Sequence, residues 1–366
     1  MVDFVSNEEI VIAARRNLNN AAWAYLAGGS ESETTLRRNR AGFDRIAFRP
    51  RILRDVSKID AATSFLGQRL RIPVMLAPIG SMQVFNPGGA AVSAEAAGEF
   101  GTVQVVSSVT EPSLDDTAAA GAGPKFFQLY VNGDMDWVKE TLDRVKAAGY
   151  VALTITADTA IYSRRERAML ARYAPPTQQG PMAGVRRTFL SRLTWDTIDR
   201  IHEIWGTQPY MLKGVASAED AELAVQHGID VVWVSNHGGR QLDSGIGSIE
   251  ALPEVVKAVN GRAEVMMDGG VQRATDVVKA IALGAKAVAI GKLQGWSMAA
   301  GGKDGIVRML EIMEHEMISA LGLLGITCVD EINDRYVTPA EPVTAPHEMS
   351  AWVNMPTPAG PGGRIL

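Results

Sequence analysis

Eight short, almost wholly apolar runs recur along this chain, and the stretches between them carry a helical period. The runs are Ile72–Pro78, Val103–Ser108, Lys125–Tyr130, Ala152–Asp158, Tyr210–Val215, Asp230–Asn236, Ala263–Gly269 and Ala287–Lys292. A strand with one face in water alternates polar and apolar residues. Runs apolar throughout read instead as parallel strands buried on both faces. The amphipathic segments between and after them are Ala90–Glu99, Ser113–Ala120, Trp137–Ala148, Thr194–Ile204, Ala218–Gln226, Ile249–Val259, Arg273–Ala282 and Gly305–Ala320. Several are followed by a glycine before the next strand (Gly101, Gly149, Gly206, Gly228, Gly261, Gly284), the residue that closes a helix in the left-handed region without a Cβ clash. Ser217, ahead of Asp220, reads as an N-cap. Eight strands alternating with eight helices predict an α/β fold, a (β/α)8 TIM barrel over residues 72–325. A doubly wound open sheet is the competing arrangement, but no GxGxxG follows the first strand.

Residues 1–71 read as an N-terminal helical arm with a connecting segment, and 326–366 as a C-terminal extension. Pro339–Leu366 carries six prolines and little periodicity, and is expected to be disordered or laid over a neighbouring subunit. With 46% hydrophobic residues among 366, the chain has ample material for one continuous core. A net charge of −5 without a Lys/Arg block argues against nucleic acid or an anionic membrane as partner. No uncharged apolar run reaches the roughly 20 residues of a membrane span. The first residues hold acids where a signal peptide needs bases, and the final RIL is a poor match to a peroxisomal SKL, so a soluble cytoplasmic protein is expected. One cysteine, Cys328, excludes an internal disulfide and a multi-cysteine metal cage. HExxH, CxxC and GxSxG are absent, so zinc hydrolysis and elbow-serine chemistry have no support, and no metal is expected.

In a barrel of this kind the active site lies at the C-terminal ends of the strands, which specifies eight places to look. They carry Ala77–Gly80, Ser107–Ser108, Gln128 and Tyr130, Thr156 and Asp158, Lys213, Ser235–His237, Asp268–Gly270, and Gly291–Lys292. Folding alone does not require a histidine, two aspartates, two lysines and a tyrosine to converge there. Of the five histidines, His202, His227 and His315 fall in or at the ends of helices and His347 in the tail, where a surface role suffices. Only His237 follows a barrel strand, in VVWVSNHGGRQLD, and its near-neutral pKa suits proton abstraction. Gly238 and Gly239 allow backbone to approach a ligand, and Arg240 adds a planar cation suited to a carboxylate.

Asp158 is a candidate partner for His237, stabilising the imidazolium, or else a helix cap or loop ion pair. Lys213 ends an otherwise apolar strand, where an unpaired ammonium is costly. It should therefore face an anion or an electron-rich ligand, with a Schiff-base lysine as the rival reading. Most of the cluster Arg164, Arg165 and Arg167 should be solvated, with one member free to hold a carboxylate bidentately. Gly269, Gly270 and Gly291 end strands seven and eight, the usual phosphate site of these barrels.

At these residues the chain closely resembles the FMN-dependent 2-hydroxy acid oxidase/dehydrogenase family, which includes glycolate oxidase, lactate oxidase and mandelate dehydrogenase. SNHGGRQLD resembles that family's active-site signature. AYLAGGSESETTLRRN, FRPRILRDV, FFQLYV, TADT with RRE, LKGV and DGGVQRATDVVKAIALGA extend the match from about Ala21 to about Gly322. The resemblance implies that His237 is the base, with Asp158 as its partner. It implies that Arg240 and Arg165 bind the substrate carboxylate, helped by the Tyr25 hydroxyl, and that Tyr130 meets the substrate oxygen. Lys213 matches the lysine beside flavin N1 and the C2 carbonyl, stabilising the charge of reduced flavin. Pro78, Ile79, Gly80, Ser107, Gln128 and Thr156 match groups around the ring. Asp268, Gly269, Gly270, Gln272, Gly291 and Lys292 match the ribityl and phosphate site. The reaction implied is oxidation of an (S)-2-hydroxy acid to the 2-oxo acid with reduction of FMN, in a homotetramer or octamer.

Departures from the family pattern carry expectations of their own. Glycolate-type members place a tryptophan over the pocket where this chain has Val109, so a substrate bulkier than glycolate, mandelate-like or longer-chain, is expected. Gly80, where members carry alanine or glycine, leaves room near N5. Gln272 and Lys292 stand where arginine is usual, leaving fewer bidentate contacts to phosphate. The Ala171–Leu193 loop has no long apolar segment, so a membrane-binding insert is not expected. Oxygen, a quinone or a carrier protein are the candidate electron acceptors, and no fused haem domain is expected. A decarboxylating monooxygenase of the same family and a Lys213 Schiff-base aldolase are the alternative enzymes. A non-catalytic flavin-binding protein is a third reading, disfavoured by the retained His237, Asp158, Lys213 and Arg240.

Overall fold

The computed structural model describes residues 2–179, 184, 188–343 and 348–352. Eight parallel strands close into a barrel in chain order, the eighth pairing with the first. They are Val74–Leu76, Gln104–Ser107, Lys125–Leu129, Leu153–Thr156, Tyr210–Val215, Val231–Val234, Glu264–Asp268 and Ala287–Ile290. Nearly every residue in them is buried, as runs without polar alternation demand. Most of the apolar runs outlast the paired strands. Tyr130, Asp158 and His237 lie just beyond the last ladder residue, where the chain turns and side chains reach the barrel mouth.

Met75, Val105, Phe126, Met211, Trp233 and Met266 fill the lumen, so the barrel is a packed core and not a pore. The base is closed by a hairpin, Thr63–Phe65 with Gln68–Leu70, that lies in the stretch read from sequence as a connecting segment. Leu66 and Gly67 both take positive φ (48° and 74°), the pair a two-residue hairpin turn needs. The hairpin carries Phe65 and Leu70 into the lumen, and the Phe65 ring lies 6.5 Å from that of Phe126.

Ala218–Gln226 is a helix with the expected bounds, and Ser217 caps it by accepting from the Asp220 N–H. All six glycines singled out before strands have positive φ. The last helix differs from expectation. A single run, Lys292–Leu324, starts directly after strand eight and is broken only at Gly301 and Gly302. Gly305–Ala320 lies within its second half. The glycine pair hid the first half, and Lys292 is thereby the first residue of a helix, not the end of a strand.

The N-terminal arm supplies three helices, Asn7–Asn17, Asn20–Ala27 and Thr34–Asp44. The first packs along the helix after strand eight, where Arg308 Nε donates to the Phe4 carbonyl (2.7 Å). The other two bring Tyr25, Leu36 and Arg40 to the barrel mouth. Ile46–Phe48 pairs antiparallel with Val337–Pro339, tying the C-terminal extension to the arm. Within the tail, residues 348–352 pack on this chain itself, with Met349 and Trp352 buried, while 344–347 and 353–366 lie outside the described residues. An aromatic anchor and a thioether, absent from the simple proline count, explain why this piece docks. His347 lies outside the described residues, as does part of the Ala171–Leu193 loop. Among the described residues no helix is long and apolar enough to cross a membrane, and no His/Cys/Asp/Glu group could hold a metal ion.

Candidate active site

His237 leaves strand six with positive φ (60°), and its backbone N–H donates to Ser235 Oγ (3.0 Å). That turn aims the imidazole across the barrel mouth. Nδ1 lies 3.0 Å from Asp158 Oδ1, and Nε2 lies 3.5 Å from the Tyr130 hydroxyl. With the Nδ1–H donating to the carboxylate, the Nε2 lone pair faces the cavity; this tautomer follows from the bonding pattern. Thr159 Oγ1 donates to the same Asp158 oxygen (3.0 Å), and Gln241 Nε2 donates to the Asp158 carbonyl (2.8 Å). Burial pushes the Asp158 carboxyl up, but His237 and Lys213 outweigh it and hold the group at about 2. Burial lowers His237 below an ordinary imidazole, with Asp158 opposing. Burial and the Asp158 charge push the Tyr130 phenol up, which keeps it a neutral donor. The result is an ionised carboxylate behind a neutral imidazole, the arrangement a general base needs.

Lys213 is not unpaired. Its Nζ donates to Ser235 Oγ (2.7 Å) and lies 3.0 Å from Asp268 Oδ2, while Ser235 Oγ donates to Asp268 Oδ1 (2.6 Å). The anion its position demanded is therefore a carboxylate from strand seven. An amine so engaged lacks the unpaired apolar setting that makes a Schiff-base nucleophile.

Besides Arg40, which pairs with Asp276, three further cations line the cavity at the barrel mouth. Arg240 Nη1 donates to the carbonyls of Tyr25 (2.6 Å) and Gly28 (3.0 Å), and its guanidinium lies 4.9 Å from the Tyr25 ring centroid. Arg165, buried, donates to Arg240 O and Gln241 Oε1 (both 3.3 Å). Lys292 Nζ donates to the same Gly28 carbonyl (3.0 Å). Burial and the Arg165 charge lower the Arg240 guanidinium to about 10. Burial and the Arg240 charge push the Lys292 ammonium well below an amine's ordinary range. Cations crowded in a buried cavity make it a receptor for anions. The cluster is less solvated than expected: beside the buried Arg165, only Arg164 is exposed, and Arg167 is half-buried, bridging Glu33 and Glu348.

Pro78, Ile79, Gly80 and Val109 line one wall of this cavity. Ser107 Oγ donates to Gln128 Oε1 (2.7 Å), whereas Gln128 Nε2 and Thr156 Oγ1 are buried without a partner among the described residues. Asp268, Gly269, Gly270, Gln272, Gly291 and Lys292 line the part of the cavity that follows strands seven and eight. Two glycines serve packing as well as any ligand. A Cβ on Gly270 would come within 2.7 Å of the Asn39 carbonyl, and one on Gly239 within 2.5 Å of the Leu36 nitrogen. The N-terminal arm, not a ligand, explains Gly239; Gly238 faces the cavity, with nothing within 4 Å of a Cβ placed there.

Three contributors had no role assigned from the sequence. Ser235 joins Lys213, Asp268 and the His237 backbone, and Gln241 ties Asp158 to Arg165. Both lie inside SNHGGRQLD, where a hydroxyl and an amide gave no signal of their own. Glu348, from the tail, lines the far end of the cavity. No local pattern could place it there.

The sequence profile of the family described as FMN-dependent dehydrogenase matches residues 14–339. The L-lactate oxidase of Nostoc sp. is 36% identical, with 88% of this chain and 95% of that protein covered. The glycolate oxidase of Spinacia oleracea is 38% identical, over 92% and 96% respectively. A solved structure of a mandelate oxidase covers 93% of this chain and 100% of its own, at 34% identity and a TM-score of 0.85.

Proposed function

The chain belongs to the FMN-dependent dehydrogenase family, and from that premise we propose that it oxidises an (S)-2-hydroxy acid bulkier than glycolate, mandelate-like or longer-chain, with His237 as the base. FMN is its cofactor, and when bound it supplies the two-electron acceptor for the substrate's hydroxyl-bearing carbon. The residues present fit that group. The unpaired Gln128 amide and Thr156 hydroxyl offer the buried polar complement that a ring bearing carbonyls and an imide needs. Lys292, at the start of a helix, offers an ammonium and free backbone N–H groups to a phosphate.

One observation carries the reading: the cavity-facing Nε2 of His237 shares a pocket with the Tyr130 hydroxyl and with Arg165 and Arg240. The two guanidiniums take the substrate carboxylate, with the Tyr25 hydroxyl beside them. Tyr130 donates to the substrate oxygen, His237 Nε2 removes a proton, and Asp158 stabilises the imidazolium formed. Lys213, fixed by Asp268 and Ser235, would hold an ammonium beside the bound cofactor and stabilise the negative charge that its reduction brings. The bulk preference rests on the wall beside Gly80, where Val109, Phe85 and Leu190 offer apolar surface and no indole. Oxygen, a quinone or a carrier protein as reoxidant, and assembly as a homotetramer or octamer, complete the proposal.

The test is kcat/KM across glycolate, lactate, mandelate and 2-hydroxyoctanoate for the native protein and for Val109→Trp. The native protein should favour the large acids and the variant should move the preference toward glycolate. Native turnover of glycolate far above mandelate and 2-hydroxyoctanoate would overturn the size assignment.

A further inference from the structure

We propose that residues Glu348–Trp352 form a strap that retains the cofactor by closing the phosphate end of the cavity. This rests on the placement of the phosphate at Gln272 and Lys292 proposed above. The strap is fixed at both ends to elements that follow strands seven and eight. Gln272 Nε2 donates to the Glu348 carbonyl (2.6 Å), and Arg273 Nε to the Ala351 carbonyl (2.9 Å). The Trp352 ring stands edge-on to Trp296, centroids 6.2 Å apart, on the helix that Lys292 begins. Met349 and Trp352 are buried, 2% and 4% exposed, so the strap is anchored by packing and not merely draped across the surface.

A clasp completes it. Arg167, from beyond strand four, ion-pairs with Glu348 Oε1 (2.7 Å) and with Glu33 of the N-terminal arm. Glu348 thereby lines the same cavity end as Gly270, Gln272 and Lys292. Its carboxylate is turned to Arg167, while the group it presents to Gln272 is a main-chain carbonyl. That arrangement walls the site without placing a charged plug on Gln272. Gln272 and Lys292 give fewer bidentate contacts than arginines, so retention falls partly to enclosure: a bound phosphate leaves only when the strap opens.

The test follows FMN release from the holoenzyme after dilution, read as recovery of free-flavin fluorescence. Trp352→Ala should speed release by about tenfold or more, as truncating a buried aromatic anchor favours local opening, and Trp352→Phe should restore most of the retention. Glu348→Ala, which removes only the clasp, should speed it by about threefold and serves where Trp352→Ala does not fold. Riboflavin, lacking the phosphate, is the second probe. Lys292→Met should weaken FMN more than riboflavin. If it affects both alike, the phosphate placement is wrong and the strap's role falls with it. If Lys292→Met discriminates while the folded strap variants release FMN at the native rate, the placement stands and the strap proposal is overturned.

Discussion

The two ends of the cavity handle charge differently. Around His237, the groups that hold the base have side-chain partners, Asp158 with the imidazole and Thr159, Lys213 with Asp268 and Ser235, while Arg165 and Arg240 beside them donate to carbonyls and keep their charge for a ligand. At the far end, Lys292 and Gln272 donate to main-chain carbonyls of Gly28 and Glu348. Side-chain partners fix tautomer, rotamer and charge before any ligand arrives, which is what proton transfer requires. Carbonyls satisfy a donor but do not neutralise a cation, so the Lys292 end keeps its demand for an anion. The contrast assigns rate to one end and retention to the other.

Substitutions can break or sharpen that division. The largest effect is expected at the base: His237→Ala should slow anaerobic flavin reduction by about a thousandfold with unchanged flavin content. Loss of flavin together with rate would break the division. Arg240→Met should lower kcat/KM for 2-hydroxy acids by about a hundredfold, since a buried carboxylate then loses a charged partner. FMN release should stay near the native rate if the two ends are independent.

Asp158→Asn should reduce the rate by about tenfold and also move its pH dependence. Burial holds His237 below the usual imidazole value, so the neutral base persists until pH falls below about 6.5. Asp158 opposes that shift, so removing its charge moves the acidic inflection of kcat/KM to still lower pH. An inflection that moves upward would contradict the assignment of Asp158 as the partner. A last effect, on stability and not on rate, concerns the wall beside the substrate. A Cβ at Gly80 would lie 2.9 Å from Val109 Cγ2. Gly80→Ala should therefore cost about 1–3 kcal/mol in thermal unfolding, and adding Val109→Ala should recover most of it.

The barrel was legible because a two-sided buried strand leaves an uninterrupted apolar run, and eight of them leave few other folds. His237 was legible for the same reason: strand order locates the mouth, and only one histidine follows a strand. What stayed hidden depended on contacts remote in sequence. The Phe65 hairpin has strands of three residues, too short to show a period. The role of Gly239 depends on the backbone of Leu36, about 200 residues earlier in the chain. Lys213 was recognised as needing an anion, yet Asp268 as that anion required the adjacency of mouths across the barrel. Ser235 lay in the recognised segment without a role, because a hydroxyl bonding three groups looks like any other serine in one dimension.

The central claim is that this cavity oxidises 2-hydroxy acids through His237. The direct measurement mixes the purified flavoprotein, without oxygen, with glycolate, (S)-lactate, (S)-mandelate and longer (S)-2-hydroxy acids and follows the visible flavin absorption. The account predicts that the bulkier acids bleach the flavin fastest, that the (R)-enantiomers do not, and that His237→Ala bleaches about a thousandfold more slowly. Bound flavin that none of these acids reduces, or bleaching that survives His237→Ala at the native rate, would contradict it.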